Sequence, residues 1–193
     1  MSCSKINKYN EFEKLCCELK RCSDCPNLVE SRIEVMGEEH QPVFPSGNVD
    51  AEIFIIGEAP GSSSKGLKNQ IKTMPFAYSS GNILRSILKE NNVEDKVFVS
   101  NLVKCNTPTI GIQESEFEHC IEKWLIREIE LVKPKKIIVL GHNAKTQFNR
   151  FALHSLGKIE ISYLFHPAYF LRNRDEVLFK NYKKVWESEL NEE

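Results

Sequence analysis

Ile53-Phe54-Ile55-Ile56-Gly57-Glu58-Ala59-Pro60-Gly61 is the stretch on which the fold turns. Four consecutive apolar residues are too few for a buried helix and show no polar alternation, and glycine and proline close the run at once. Such a run is a short strand buried on both faces, which is the habit of a parallel sheet covered by helices on either side. Working outward, Val97-Phe98-Val99, Ile137-Ile138-Val139-Leu140 and Ile161 to Phe165 repeat the pattern. Helical periodicity fills the intervals, over 81–91, 114–132 and 143–153, with a last helix over 175–190. Strands alternating with helices of this length form βαβ units with right-handed crossovers. Upstream, Phe12, Leu15, Cys16 and Leu19 predict an amphipathic helix over 7–20, and 36–50, with Gly37, Pro42, Pro45, Gly47 and Asn48, reads as an irregular connection.

Composition bounds the rest. At 193 residues the chain has room for one domain with a sizeable core, and 41% hydrophobic with 27% charged residues excludes a disordered or fibrous chain. The 26 basic and 27 acidic residues nearly cancel, so a nucleic-acid partner has to be met by a local basic face. The N-terminal MSCSKINKYNEFEK has no apolar core of a signal sequence, and no run approaches the roughly 18 residues of a membrane span. The expectation is a monomeric cytoplasmic protein with no membrane partner.

In a reducing compartment seven cysteines mean packing, catalysis or metal ligation rather than a disulfide framework. Cys3, Cys16 and Cys17 have no ligand-like spacing and read as ordinary thiols. Cys22 and Cys25 form a C-S-D-C loop before Pro26 that aims two thiolates at one centre, and Cys105 and Cys120 supply a second pair. Four thiolates suit either zinc or an iron–sulfur cluster.

A parallel sheet binds its ligand at the carboxyl ends of its strands, so the residues after each apolar run carry the function. They are Gly57-Glu58-Ala59-Pro60-Gly61, Ser100-Asn101 with Cys105 beyond, Gly141-His142-Asn143-Ala144, and His166-Pro167-Ala168-Tyr169. An Asn, a His and a glycine-bounded loop thus share one edge. A Gly-Lys-Ser/Thr phosphate loop is missing, which argues against a nucleotide hydrolase and a nucleotide cofactor.

These residues, with Pro75-Phe76, Val103-Lys104-Cys105, Leu140-Gly141 and Leu171-Arg172-Asn173, resemble the ordered motifs of the family 4 uracil-DNA glycosylases over about residues 22–175. The resemblance implies an α/β class fold, a three-layer α/β/α sandwich with a four-stranded parallel sheet, as a single domain over 1–193. The N-terminal helix and cysteine loop (about 7–30) would contribute to the cluster site. It implies a base-excision repair enzyme that flips uracil out of DNA and hydrolyses its N-glycosidic bond. It also implies a [4Fe–4S] cluster on Cys22, Cys25, Cys105 and Cys120.

The residues suit those roles chemically. A side-chain amide accepts from uracil N3–H and donates to O4, whereas cytosine reverses both partners, so Asn101 discriminates the two bases. Phe76 offers a stacking face worth ~1–3 kcal/mol per base. His166 donates to the O2 of the departing uracil anion, and backbone amides of Gly57, Ala59 and Gly61 hold base oxygens or a phosphate. Glu58 either orders water or braces its loop. The catalytic set is therefore His166, Asn101 and Glu58.

The chain also departs from the family. Ala59, as in family 4 generally, stands where the best-known superfamily members carry a water-orienting Asp. The segment 62–74 is longer than the family norm and has three lysines and no acid, and Ala77-Tyr78-Ser79-Ser80-Gly81 replaces the usual wall after Phe76. We expect that loop to modify substrate choice. Lys65, Lys68, Lys72, Arg85, Lys89, Arg172 and Arg174 are candidate DNA-phosphate contacts, with plain solvated surface charge as the equal alternative, and Phe170 and Leu171 are candidate wedges between bases. The alternative function is a cluster-containing nucleic-acid-binding relative whose glycosylase activity is lost or altered.

Overall fold

The computed structural model describes residues 3–36, 41–60, 75–76, 79–106, 111–152, 154, 156–173 and 175–191. Gly61, the loop 62–74 with its three lysines, residues 77–78 and Arg174 lie outside them. A five-stranded sheet with order β1-β3-β2-β4-β5 forms the middle layer. Strands β2 (Ile53–Gly57), β3 (Val97–Asn101), β4 (Lys136–Leu140) and β5 (Glu160–Leu164) are mutually parallel. They are the four expected from the apolar runs. The fifth, β1 (Ser46–Gly47), pairs antiparallel with β3 inside the connection read as irregular. Two residues, one a glycine, leave no periodicity to read. Gly47 is required there because its φ is +123° and a Cβ would lie 2.4 Å from the Val97 carbonyl oxygen.

The helices are α1 (Cys3–Lys20), α2 (Pro26–Met36), α3 (Ser79–Glu90), α4 (Glu114–Cys120), α5 (Ile126–Val132), α6 (His142–Phe151), α7 (Ala168–Asn173) and α8 (Glu176–Asn191). Alternation along each central strand builds the two flanking layers. Phe54, Ile56, Phe98, Ile137 and Val139 join the core under α1, α5 and α6, which includes Leu19, Ile129 and Phe148. Ile53, Ile55, Val97, Ile138 and Leu140 join the core under α3 and α8, with Leu84, Ile87 and Trp186.

Two helical features escaped the sequence. Helix α2 begins at Pro26, well placed at a first helical turn that needs no N–H. The predicted single helix over 114–132 is broken by a π-helical turn, Ile121–Leu125, between α4 and α5. Such turns are rare and concentrate at functional positions. This one directly follows Cys120.

Candidate active site and cysteine centre

Chain connection places the site. Strand β2 is central, the next strand β3 lies on one side of it and β4 on the other, so the loops leaving β2 and β4 diverge around a crevice. Those two loops are joined across it: Asn143 Nδ2 donates to Glu58 Oε1 at 3.3 Å. On the opposite flank Leu102 and Val103 N–H donate to the carbonyls of Gly57 and Glu58 at 2.9 and 3.0 Å. The 57–58 backbone is therefore held from both sides.

Gly57 is the hub. It is in register with Asn101, and a Cβ on it would stand 2.5 Å from Asn101 Oδ1 and 2.6 Å from Phe76 Cζ. The glycine is needed because a carboxamide and an aromatic ring both rest on its open face. Asn101 is 3% exposed. Phe76 is held in an αL conformation, φ 53°, that costs an aromatic residue energy and marks a functional constraint. Two contacts maintain it. Gly81 packs so closely under the Phe76 carbonyl that any Cβ would coincide with it, and Arg85 Nη1 donates to the same oxygen at 2.9 Å.

His166 completes the group. Its ring stacks on Phe76 with centroids 5.7 Å apart and an interplanar angle of 24°. Gly141, at φ +99°, lies against the His166 Cβ. The Ala168 N–H donates to Nδ1 at 3.1 Å, so the neutral ring carries its proton on Nε2. Burial first, and Arg172 second, pull the His166 pKa below its usual value. The ring is thus kept neutral with Nε2–H free to donate.

The basic residues expected at phosphates divide. Arg85 is committed to the Phe76 carbonyl and to Asn82 Oδ1, and so acts within the platform. Lys89 and Arg172 are exposed, Arg172 Nε reaching the Ala168 carbonyl at 3.4 Å. The wedge expectation for Phe170 is corrected: it is buried, stacked on Tyr182 at 4.2 Å in an aromatic core whose members lie apart along the chain. Leu171 is exposed, as is the Phe165–Tyr169 pair, which stacks at 5.3 Å beside His166.

On the far side of β3, Cys22, Cys25, Cys105 and Cys120 line one small enclosed cavity with Leu19, Leu28 and Trp124. Burial pushes the Cys25 and Cys120 thiols up to about 11 and about 12, and Cys105 upward as well. Arg32 is buried beside them. Its Nη1 donates to Cys105 Sγ at 3.4 Å, both terminal nitrogens reach the Cys22 carbonyl, and Nε has no partner among the described residues. A buried guanidinium facing thiols rather than a carboxylate fits a centre that carries negative charge when filled. Among the described residues no three His, Cys, Asp or Glu side chains converge as around a single metal ion.

The C-S-D-C loop is fastened to the second cysteine pair by a residue that spacing did not single out. Asp24 Oδ2 accepts from Lys123 and from His119 Nε2, the latter at 2.8 Å, and these hydrogen bonds hold its carboxyl near a pKa of about 2. His119 and Lys123 flank Cys120 in sequence, so one carboxylate ties the two halves of the cavity together.

A family model for the uracil DNA glycosylase superfamily matches residues 44–189. A type-4 uracil-DNA glycosylase of Thermotoga maritima is 30% identical over 173 residues, covering 83% of each chain. A type-4 enzyme of Saccharolobus solfataricus is 29% identical, covering 89% of this chain and 83% of its own. A type-5 enzyme of Pyrobaculum aerophilum is 28% identical over 70% of this chain and 67% of its own. With the crevice, the Asn101–Phe76–His166 group and the four-cysteine cavity already in place, these matches assign the chain to the uracil DNA glycosylase superfamily, within its type-4 branch.

Proposed function

We propose that the protein excises uracil from DNA with Asn101, Phe76 and His166 as its working residues. The observation that carries this is the meeting of an amide and a strained aromatic ring over Gly57, with a neutral imidazole stacked on that ring. The target base leaves the duplex because its glycosidic bond is inaccessible within the stack. It lies against the Phe76 ring, and the Asn101 amide reads N3–H and O4. As the bond breaks, negative charge gathers on O2, where the preformed Nε2–H of His166 receives it without a reorganisation cost. A neutral donor suits this task, since it stabilises the anion without having to be recharged each cycle. Glu58, held by Asn143, keeps the loop in place and is the group we assign to ordering the water that completes hydrolysis. The methyl side chain of Ala59 cannot do so.

Cys22, Cys25, Cys105 and Cys120 would hold a [4Fe–4S] cluster, whose iron chemistry here is structural. Four cysteines lining one small cavity supply the thiolate set that such a cluster needs. Arg32 supplies compensating charge. Ligand thiols of this kind suit the reducing cytoplasm. Among the described residues no helix is long and apolar enough to cross a membrane.

The test is release of free uracil from a duplex holding one U·G pair, under single-turnover conditions. Alanine at Asn101 or His166 should slow release by ~10²–10³, the magnitude of losing one preorganised donor. Binding of the duplex without any release by the wild-type protein would favour a relative that has lost the chemistry.

A further inference from the structure

Beneath the base-reading amide lies a buried charge group that the mechanism above does not use. Lys104 and Glu128 are 2% and 0% exposed, with the ammonium 2.8 Å from each carboxylate oxygen. Ser100 Oγ donates to Glu128 Oε2 at 2.7 Å and accepts from Lys104 Nζ at 2.8 Å. The fourth partner is the carbonyl oxygen of Asn101, at 2.6 Å from Lys104 Nζ.

Parallel pairing shows why that carbonyl needs a donor. Leu102 N–H bonds the Gly57 carbonyl, so residues 100 and 102 turn their polar groups to β2 and Asn101 turns its own away. On that other side β1 pairs only with Phe98 and Val99 and has ended before Asn101. The Asn101 carbonyl would be a buried acceptor without a sheet partner, and Lys104 supplies the missing donor. A buried ion pair is a poor way to gain stability, since well-packed apolar residues in its place are often neutral or better. Its geometry points to another use. We propose that Lys104 is a positioning residue for base recognition: by fixing the Asn101 carbonyl at the open end of β3 it sets the height at which the Asn101 amide meets uracil.

Lys104 also faces the cysteine centre. It lines the four-cysteine cavity beside Cys105 and Cys120. One residue therefore joins the rigid cysteine centre to the amide that reads the base, which supplies a reason for the centre to stand immediately behind β3.

The inference rests on Asn101 reading uracil, and its test separates the two. Lys104→Met and the double variant Lys104→Met/Glu128→Leu are compared with wild type per folded, cluster-loaded molecule, scored by visible absorbance. Three quantities are read: the single-turnover rate on a U·G duplex, inhibition by free uracil, and affinity for a duplex with an abasic-site analogue. Misplacing a reacting or reading group by about 1 Å costs on the order of 100-fold. The expected result is a rate lower by about 10- to 100-fold and a free-uracil inhibition constant raised by at least about tenfold, with abasic-duplex affinity unchanged. The double variant, which leaves no orphan charge, should fold and stay slow. A double variant with wild-type rate and uracil inhibition overturns the proposal, as does parallel loss of abasic-duplex affinity. If the single variant does not fold, the double variant decides alone, and if neither folds the group is structural and the proposal fails. Absence of uracil release by the wild-type protein would instead refute the function itself.

Discussion

Replacing Gly57 with alanine tests the site at its hub. Gly57 does not have a positive φ, so alanine fits the backbone, and everything that follows comes from one methyl group. That methyl would lie 2.5 Å from Asn101 Oδ1 and 2.6 Å from Phe76 Cζ. Ordinary contact begins at 3.4 Å, so the amide must retreat by about 0.9 Å and the ring by about 0.8 Å. Neither can do so freely, because Asn101 is buried at the end of a strand and Phe76 is locked by Gly81 and Arg85. Overpacking costs typically about 1–3 kcal/mol, partly offset by the about 0.4–1 kcal/mol that Gly→Ala contributes through the unfolded chain. Stability should therefore fall only by about 1–2 kcal/mol. A displacement near 1 Å of groups that position a reacting base costs on the order of 100-fold in rate, equivalent to about 2.7 kcal/mol of barrier. The assay is single-turnover release of uracil from a labelled U·G duplex, with affinity for an abasic-site duplex as the control. A rate within about threefold of wild type would refute the convergence of amide and ring over Gly57 as the basis of activity.

Three further outcomes are expected. Because burial and Arg172 lower the folded pKa of His166 below about 6.5, the unfolded chain binds the extra proton first; the associated stability is present above about pH 6.5 and is lost as pH falls through the folded value. Urea midpoints from pH 8 to 5 should therefore drop more steeply for wild type than for His166→Gln, and equal slopes would contradict a buried neutral ring. Arg85→Ala removes the donor to the Phe76 carbonyl and should lower the single-turnover rate by about tenfold, the scale of one partly exposed charged hydrogen bond, while Lys89→Ala on the same helix should leave the rate alone. Cys105→Ala should yield colourless protein with less iron and a lower melting temperature than wild type; full iron content would remove Cys105 from the ligand set.

How much of this was legible in the sequence follows from the range of the interactions involved. The apolar run at Ile53–Ile56 and its three counterparts identified the parallel strands, because a strand buried on both faces writes its environment into consecutive residues. The strand-end residues Gly57, Asn101 and His166 were legible for the same reason: topology sends strand ends to one edge. The C-S-D-C loop stood out by its local spacing, and the structure sets Cys22 and Cys25 on one cavity with Cys105 and Cys120. Other features depend on groups distant in the chain. Strand β1 exists because β3 offers it an edge, and the π turn after Cys120 has no compositional mark. Arg85 looked like a phosphate contact and Phe170 like a wedge, since exposure and partner cannot be read from residue type. Asp24 reaches His119 and Lys123 across 95 and 99 residues, and Lys104 meets Glu128 across 24. Local periodicity and spacing come from neighbours along the chain, so the sequence determined the strands, their order of function-bearing ends and the cysteine set. Pairing of buried charges, strain at Phe76 and the tautomer of His166 come from neighbours through space, and they become visible only once the chain is folded.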